Sequence, residues 1–181
     1  MVEGDTMKVR LARLEPGMVA AIERGLAGAL DKVQAGEARA AILDDLVTVI
    51  EAGGRWGEAA TMLRAEAERG AGRGVNLSRA ARDYLKARDY AAAEQTMLAA
   101  LLRTPEQGDL YRDLAVDIYA ARGDFSTAEG VLKAGERNAV DMLPIYDGVT
   151  EVLAKRESTR AGDLVGTALP PRLSDEGRVD P

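Results

Sequence analysis

The residues able to do chemistry in this chain are carboxylates, arginines and lysines. Its 181 residues include no histidine and no cysteine. The usual general base near neutral pH, a thiolate nucleophile, disulfides and thiolate metal sites are therefore excluded. Two close carboxylate pairs, Asp113 with Asp117 and Glu66 with Glu68, could in principle hold a cation. Each pair is isolated, and helix carboxylates are far more often solvated charges, so no metal or other cofactor is expected. Gly70-Ala71-Gly72-Arg73-Gly74 lacks the Gly-Lys-Ser/Thr ending of a phosphate-binding loop. An enzyme is not expected. What remains is a basic stretch, Arg79, Arg82 and Lys86, whose i, i+3, i+7 spacing puts it on one helical face. Such a face could grip an acidic peptide or a C-terminal carboxylate through charge-assisted hydrogen bonds. It could equally be a solvated face whose charges answer Asp83 and Asp89.

The elements that must position this face are marked by a recurring signature. Gly54-Arg55-Trp56, Arg88-Asp89-Tyr90 and Gly123-Asp124-Phe125 lie 34 and 35 residues apart, and each aromatic is followed three residues later by an alanine, Ala59, Ala93 or Ala128. A period of this length, with a turn between two apolar stretches, predicts stacked helix–turn–helix units. The extra residue of the longer spacing is expected near the turn at Ala121-Arg122. The recurrence of Trp56, Tyr90 and Phe125 predicts packing between adjacent helices rather than binding.

Along the chain, residues 1–13 read as a flexible lead-in. A helix from Pro16 carries the stripe Val19, Ile22, Leu26, Ala29, Leu30 and Val33, and either covers the first repeat or pairs with another chain. Helices follow over about 38–52 and 57–69, then a flexible linker at 70–74, the expected hinge. Asn76 is positioned to cap the next helix, with Leu77, Ala80, Ala81 and Tyr84 inward. Ala93, Met97, Ala100 and Leu101 line its partner, which Thr104-Pro105 stops. Tyr111, Leu114, Ala115 and Ile118, then Ala128, Val131 and Leu132, give a third pair. A further helix over 143–156 faces inward through Tyr146, Val149, Val152 and Leu153. Residues 157–181 read as a weakly structured or disordered tail, because Gly162 and Gly166 weaken a helix and prolines follow.

These residues resemble the tetratricopeptide repeat family. Residues 74–107 carry the pattern best, through Leu77, Ala80, Ala81, Tyr84, the Arg88-Asp89-Tyr90 turn, Ala93, Met97, Ala100 and Pro105. Only the turn glycine is replaced, by Arg88. Residues 108–142 lack the closing proline and use Ala134 or Gly135 at the second small position. Residues about 38–73 fit more loosely, through Leu43, Leu46, Ile50, Gly54, Trp56 and Ala59. The resemblance implies an all-α fold, a right-handed superhelix of antiparallel helix pairs spanning residues 14–156, with 143–156 a partial fourth unit. It further implies that polar positions of the first helices line a concave groove for a peptide or a partner's helix. Those positions are Asp44, Thr48, Ser78, Arg79, Arg82, Lys86 and Arg112. One subclass of the family clamps a C-terminal carboxylate with Lys and Asn in the first repeat. Asp44 and Thr48 stand in the comparable places and argue against that use.

Composition narrows the function classes. The formal net charge is −6, which repels phosphate backbones and disfavours nucleic acid. No run of about 18 apolar residues is present, so no membrane span is expected. The acidic start Met1-Val2-Glu3-Gly4-Asp5 does not read as a signal peptide, and a cytoplasmic location is expected. The reading is a non-enzymatic adaptor or assembly chaperone that binds another protein or peptide, an acidic one being what the basic stretch would suit. The alternative is a scaffold that self-associates through its terminal helices.

Overall fold

The computed structural model describes Leu11, residues 14–70 and residues 73–168, with side chains for all of these except 73 and 162–168. The described chain is built from eight helices, with no strand among the described residues. They are α1 (Pro16–Leu30), α2 (Glu37–Ala52), α3 (Trp56–Arg69), α4 (Arg73–Lys86), α5 (Tyr90–Leu101), α6 (from Gly108), α7 (Phe125–Asn138) and α8 (Leu143–Ala168). Each helix packs on its neighbours in sequence, and α8 also reaches back onto α6.

The recurring signature builds one turn three times. The amides of Arg55, Asp89 and Asp124 bond the carbonyls of Ile50, Tyr84 and Tyr119 at 3.2, 2.9 and 3.0 Å. Gly54, Arg88 and Gly123 precede them with φ of 73°, 60° and 80°. That left-handed conformation suits glycine and strains Arg88. Asp89 and Asp124 then cap α5 and α7 by accepting from the amides of Ala92 and Thr127, both at 3.1 Å, which satisfies donors the helix cannot use. Ala59, Ala93 and Ala128 are fully buried, and their small size lets the helices approach.

The turn aromatics pack unequally: Phe125 lies against the core of α6, α7 and α8, whereas Tyr90 does not pack between helices as expected. Tyr90 is 45% exposed, and Trp56 and Phe125 are half-buried. Trp56 carries the Lys86 ammonium 4.2 Å above its ring centroid. Tyr84, by contrast, is buried as expected.

The 35-residue spacing is absorbed inside a helix, not at Ala121-Arg122. Helix α6 starts as an α-helix over Gly108–Asp113, widens to a π-helix over Leu114–Tyr119 and tightens to a 3-10 turn over Ala120–Arg122. A π turn closes over one more residue than an α turn, so it takes up a single insertion. Tyr84 and Tyr119 both bond the capping aspartate's amide, which places the insertion upstream of Tyr119.

The linker also differs. Helix α4 begins at Arg73, so Asn76 lies within it rather than capping it. Gly74 belongs to that helix too, and a Cβ there would meet Thr104 Cγ2 at 2.4 Å. Its role is close approach to the end of α5. Ala71 and Gly72 lie outside the described residues.

Helix α8 continues to Ala168, past the boundary expected at Arg156; residues 169–181 lie outside the described set, as do residues 1–10. Its inward side is Ile145, Gly148 and Val152, whereas Tyr146 is 59% exposed and Leu153 is also exposed. On α1, Leu26 and Leu30 pack inward while Ile22 lies at the surface. One core joins α1 through α6 around Leu46, Ile50, Leu63, Met97, Leu114 and Ile118. A second joins α6, α7 and α8 around Tyr111, Leu132, Ile145 and Val152. Burying each large aliphatic side chain stabilises the fold by about 1.5–3 kcal/mol.

Candidate binding groove

The first helices of the pairs, α2, α4 and α6, present their polar sides to an open groove of about 930 Å³. Its wall includes Asp44, Thr48 and Glu51 from α2, and Val75, Ser78, Arg79, Arg82, Asp83 and Lys86 from α4. Residues 106–109 and Val140, Asp141 and Pro144 close its other side. Six of the seven positions singled out in the sequence therefore meet here. Arg112 does not: its guanidinium turns to α8, bonding Glu151 Oε1 at 2.6 and 3.1 Å and Asp113 Oδ1 at 3.0 Å.

The basic face is already answered by carboxylates, from neighbouring helices for Arg79 and Arg82 and from its own helix for Lys86. Arg79 Nε donates to Glu51 Oε1 at 2.7 Å, and its other nitrogens bond Asp44 and Thr48. Arg82 Nε donates to Asp113 Oδ2 at 2.9 Å, with Asp109 at 3.3 Å. Lys86 Nζ donates to Asp83 Oδ1 at 3.2 Å. With Arg112, these arginines staple α2 to α4, α4 to α6 and α6 to α8. The hydrogen bonds that Arg112 donates to Glu151 help hold its pKa above the ordinary value. Reversing Arg82 would set a carboxylate against buried Asp113 and cost stability.

The groove lining as a whole is acidic. Six acidic side chains face three basic ones. Two of the acids, Glu51 and Asp83, are almost wholly buried, Asp83 being 1% exposed. Burial first, and the charge of Glu51 second, push the Asp83 carboxyl up to about 6. Its Oδ2 has no hydrogen-bond partner. Ser78 Oγ lies 2.9 Å from both Gly74 O and Gln107 Oε1, with one hydroxyl proton to share between the two acceptors, which ties α4 to the loop before α6.

The sequence offered Asp83 as a counter-charge to the basic stretch, which it is for Lys86, but it gave no sign of that residue's burial and did not single out Glu51. The available signal was positional: Asp83 adjoins the inward Tyr84, and Glu51 ends the apolar run Val47–Ile50. Arg39 was also missed. It donates from Nε and Nη2 to Glu66 at 2.9 and 2.5 Å, and from Nη1 to the carbonyls of Leu30 and Val33 at 2.6 and 2.8 Å. This fork clamps the end of α1 onto α3, and the Arg39 hydrogen bond holds Glu66 below the usual carboxylate range. Glu66 thus answers Arg39 and Arg69, and Glu68 pairs with Arg64. Among the described residues, no group of three or more Asp, Glu, His or Cys is placed to share a metal ion. Nor is any helix among them long and apolar enough to cross a membrane.

No protein-family model, no curated protein and no solved structure matches this chain.

Proposed function

We propose that this protein is a non-enzymatic binding module of the helical-repeat kind, an adaptor or assembly chaperone that holds a partner polypeptide in the groove across α2, α4 and α6. The observation that carries the reading is the convergence of polar side chains from three successive first helices on one open channel. Three turns of one design bring those helices into phase, and continuation of that phase would give the superhelix expected of tetratricopeptide-like repeats. The arginine staples preform the channel, so binding would be limited by ordering of the partner. Because Arg79, Arg82 and Lys86 are already paired, an acidic partner would have to compete with these carboxylates. The acidic excess favours a basic segment.

The test is affinity capture from native extract with wild type and Val75→Trp. Val75 is 69% exposed in the groove wall, so a bulky ring there fills the channel without touching the core. A polypeptide retained by wild type and lost from the variant, with both chains melting alike, supports the reading. Equal retention by the two would count against it.

A second reading, self-association, rests on a different observation. An apolar cleft of about 340 Å³ lies between α7 and α8, lined by Leu132, Val149, Val152 and Leu153. Helix α1 shows Met18 and Ile22 at the other end of the array. Stacking of α1 from one copy on α8 of another would make particle size rise with concentration in light scattering.

A further inference from the structure

We propose that the two ends of this chain are the two halves of one helical pair, so that α1 of one copy docks in the apolar cleft between α7 and α8 of the next and copies join head to tail. The proposal rests on the self-association reading and specifies its interface. It leaves the binding groove free, since the cleft lining and the groove lining share no residue.

The order of the helices sets up the fit. Helices α2 with α3, α4 with α5 and α6 with α7 are pairs joined by the recurring turn. The second helix of each pair also packs on the first helix of the next: α3 on α4, α5 on α6 and α7 on α8. Helix α1 packs on α2 in the same way, so the array opens on a helix of the second kind with no first helix before it. It closes on α8, a helix of the first kind. Residues 157–168, which would have to turn back to supply its second helix, continue α8 instead.

Each end shows the apolar surface that its missing partner would cover. On α8, Ile145 and Val152 face the chain's own core. Leu153, 49% exposed, joins Leu132, Val149 and Val152 in the cleft of about 340 Å³. Helix α1 holds only two charged residues, Glu23 and Arg24, in fifteen. Met18, Ala21, Ile22 and Gly25 are exposed at i, i+3, i+4 and i+7, which makes one uncharged face. A helix this apolar belongs in an interior, yet α1 is covered on one side only among the described residues. A Cβ built at Gly17, Gly25 or Gly28 would meet nothing within 4 Å, whereas at Gly148 of α8 it would lie 2.7 Å from Leu132 Cδ2. Glycine weakens a helix; those of α1 serve no packing within one chain and let a second helix approach closely. Helical arrays are ordinarily closed by units with a polar outer face, and neither end of this one is closed so among the described residues.

Charge agrees with this pairing. Glu23 is held by Arg55 at 2.6 Å, which leaves the exposed Arg24 to meet a partner. Glu129, Lys133 and Glu136 border the cleft. Glu129 holds Arg156 at 2.9 Å, and Glu136 stands exposed as the acid for Arg24 to meet. A contact between unlike surfaces at opposite ends repeats from copy to copy, giving an open array or a ring rather than a closed dimer.

The experiment is sedimentation velocity on the full chain from about 5 to about 500 µM, a range that brackets small interfaces. Wild type, Met18→Glu and Leu153→Glu are run alone, and the two variants are also mixed in equal amounts. Wild type is expected to grow with concentration beyond a dimer, and each variant alone to stay monomeric. The mixture should form a one-to-one dimer and nothing larger, because Leu153→Glu keeps a competent α1 and Met18→Glu keeps a competent cleft. Both side chains are 49% exposed, so the variants should fold; thermal melts check this, and Met18→Gln with Leu153→Gln repeats the mixture should either melt early. A wild type that stops at a dimer, a variant that still assembles, or a mixture that stays monomeric overturns the head-to-tail contact and leaves self-association to another surface. A wild type monomeric throughout overturns both.

Discussion

Asp83 and Glu51 bring two carboxylates into the wall between α2 and α4, where neither is well hydrated. The folded chain holds the Asp83 proton more tightly than the unfolded chain, because burial and Glu51 lift its carboxyl from 3.8 to about 6. Folding therefore takes up a proton between those values, and this group's penalty is fully present above about 6 and relieved as pH falls toward 4. On that basis the Asp83 contribution should make the chain more stable at about pH 5 than at pH 7.5, by roughly 1–3 kcal/mol. Thermal melts of wild type and Asp83→Asn at both pH values check this: the variant should lose the gain. A variant that shows the same pH response as wild type would contradict the assignment. Residues such as these were hardly legible in the sequence, because a carboxylate's burial depends on which helix covers it. The pairing of Arg39 with Glu66 was invisible for the same reason; the partners lie 27 residues apart and no local pattern links them. The turn aspartates Asp89 and Asp124 were legible as parts of the recurring turn signature, since capping is decided within a few residues.

Helix α6 shows how an element can hide a departure from its repeat. The insertion was readable as a spacing of 35 rather than 34 residues, but its location was not, because a helix interior and a turn can each absorb one residue. Here the π-helix over Leu114–Tyr119 takes it, and Lys155 Nζ on α8 bonds the Val116 carbonyl in that stretch at 2.9 Å. Deleting Asp117 should return α6 to regular α-helix and leave a folded, cooperatively melting chain. Deleting Ala81 from α4, which has no such turn, should rotate the rest of that helix off the core and abolish cooperative unfolding. Circular dichroism melts of the two deletions distinguish them; equal damage from both would contradict the insertion's placement. On α8 the expected inward stripe holds for Val149 and Val152 but not for Tyr146 and Leu153, which lie at the surface while Ile145 and Gly148 take the inner side. Gly148 decides which side turns in. A Cβ there would lie 2.7 Å from Leu132 Cδ2, so the helix turns that face inward and leaves Tyr146 outside.

At the scale of the molecule, the in-phase turns make the helical pairs readable in the sequence, and the groove follows from which sides of α2, α4 and α6 remain polar. The polarity of the groove did not follow, because the basic run Arg79, Arg82 and Lys86 stands out in one dimension while the acidic partners of its two arginines come from other helices. The proposed function requires that a partner polypeptide occupy this groove. The most direct measurement installs a photo-cross-linking amino acid at Val75 in the groove wall, and separately at Leu102, 87% exposed at the end of α5. Each chain is irradiated in its native extract. A discrete heterologous adduct at position 75 and not at 102 is the expected result. Adducts only between copies of the chain, or none at position 75, would contradict the account.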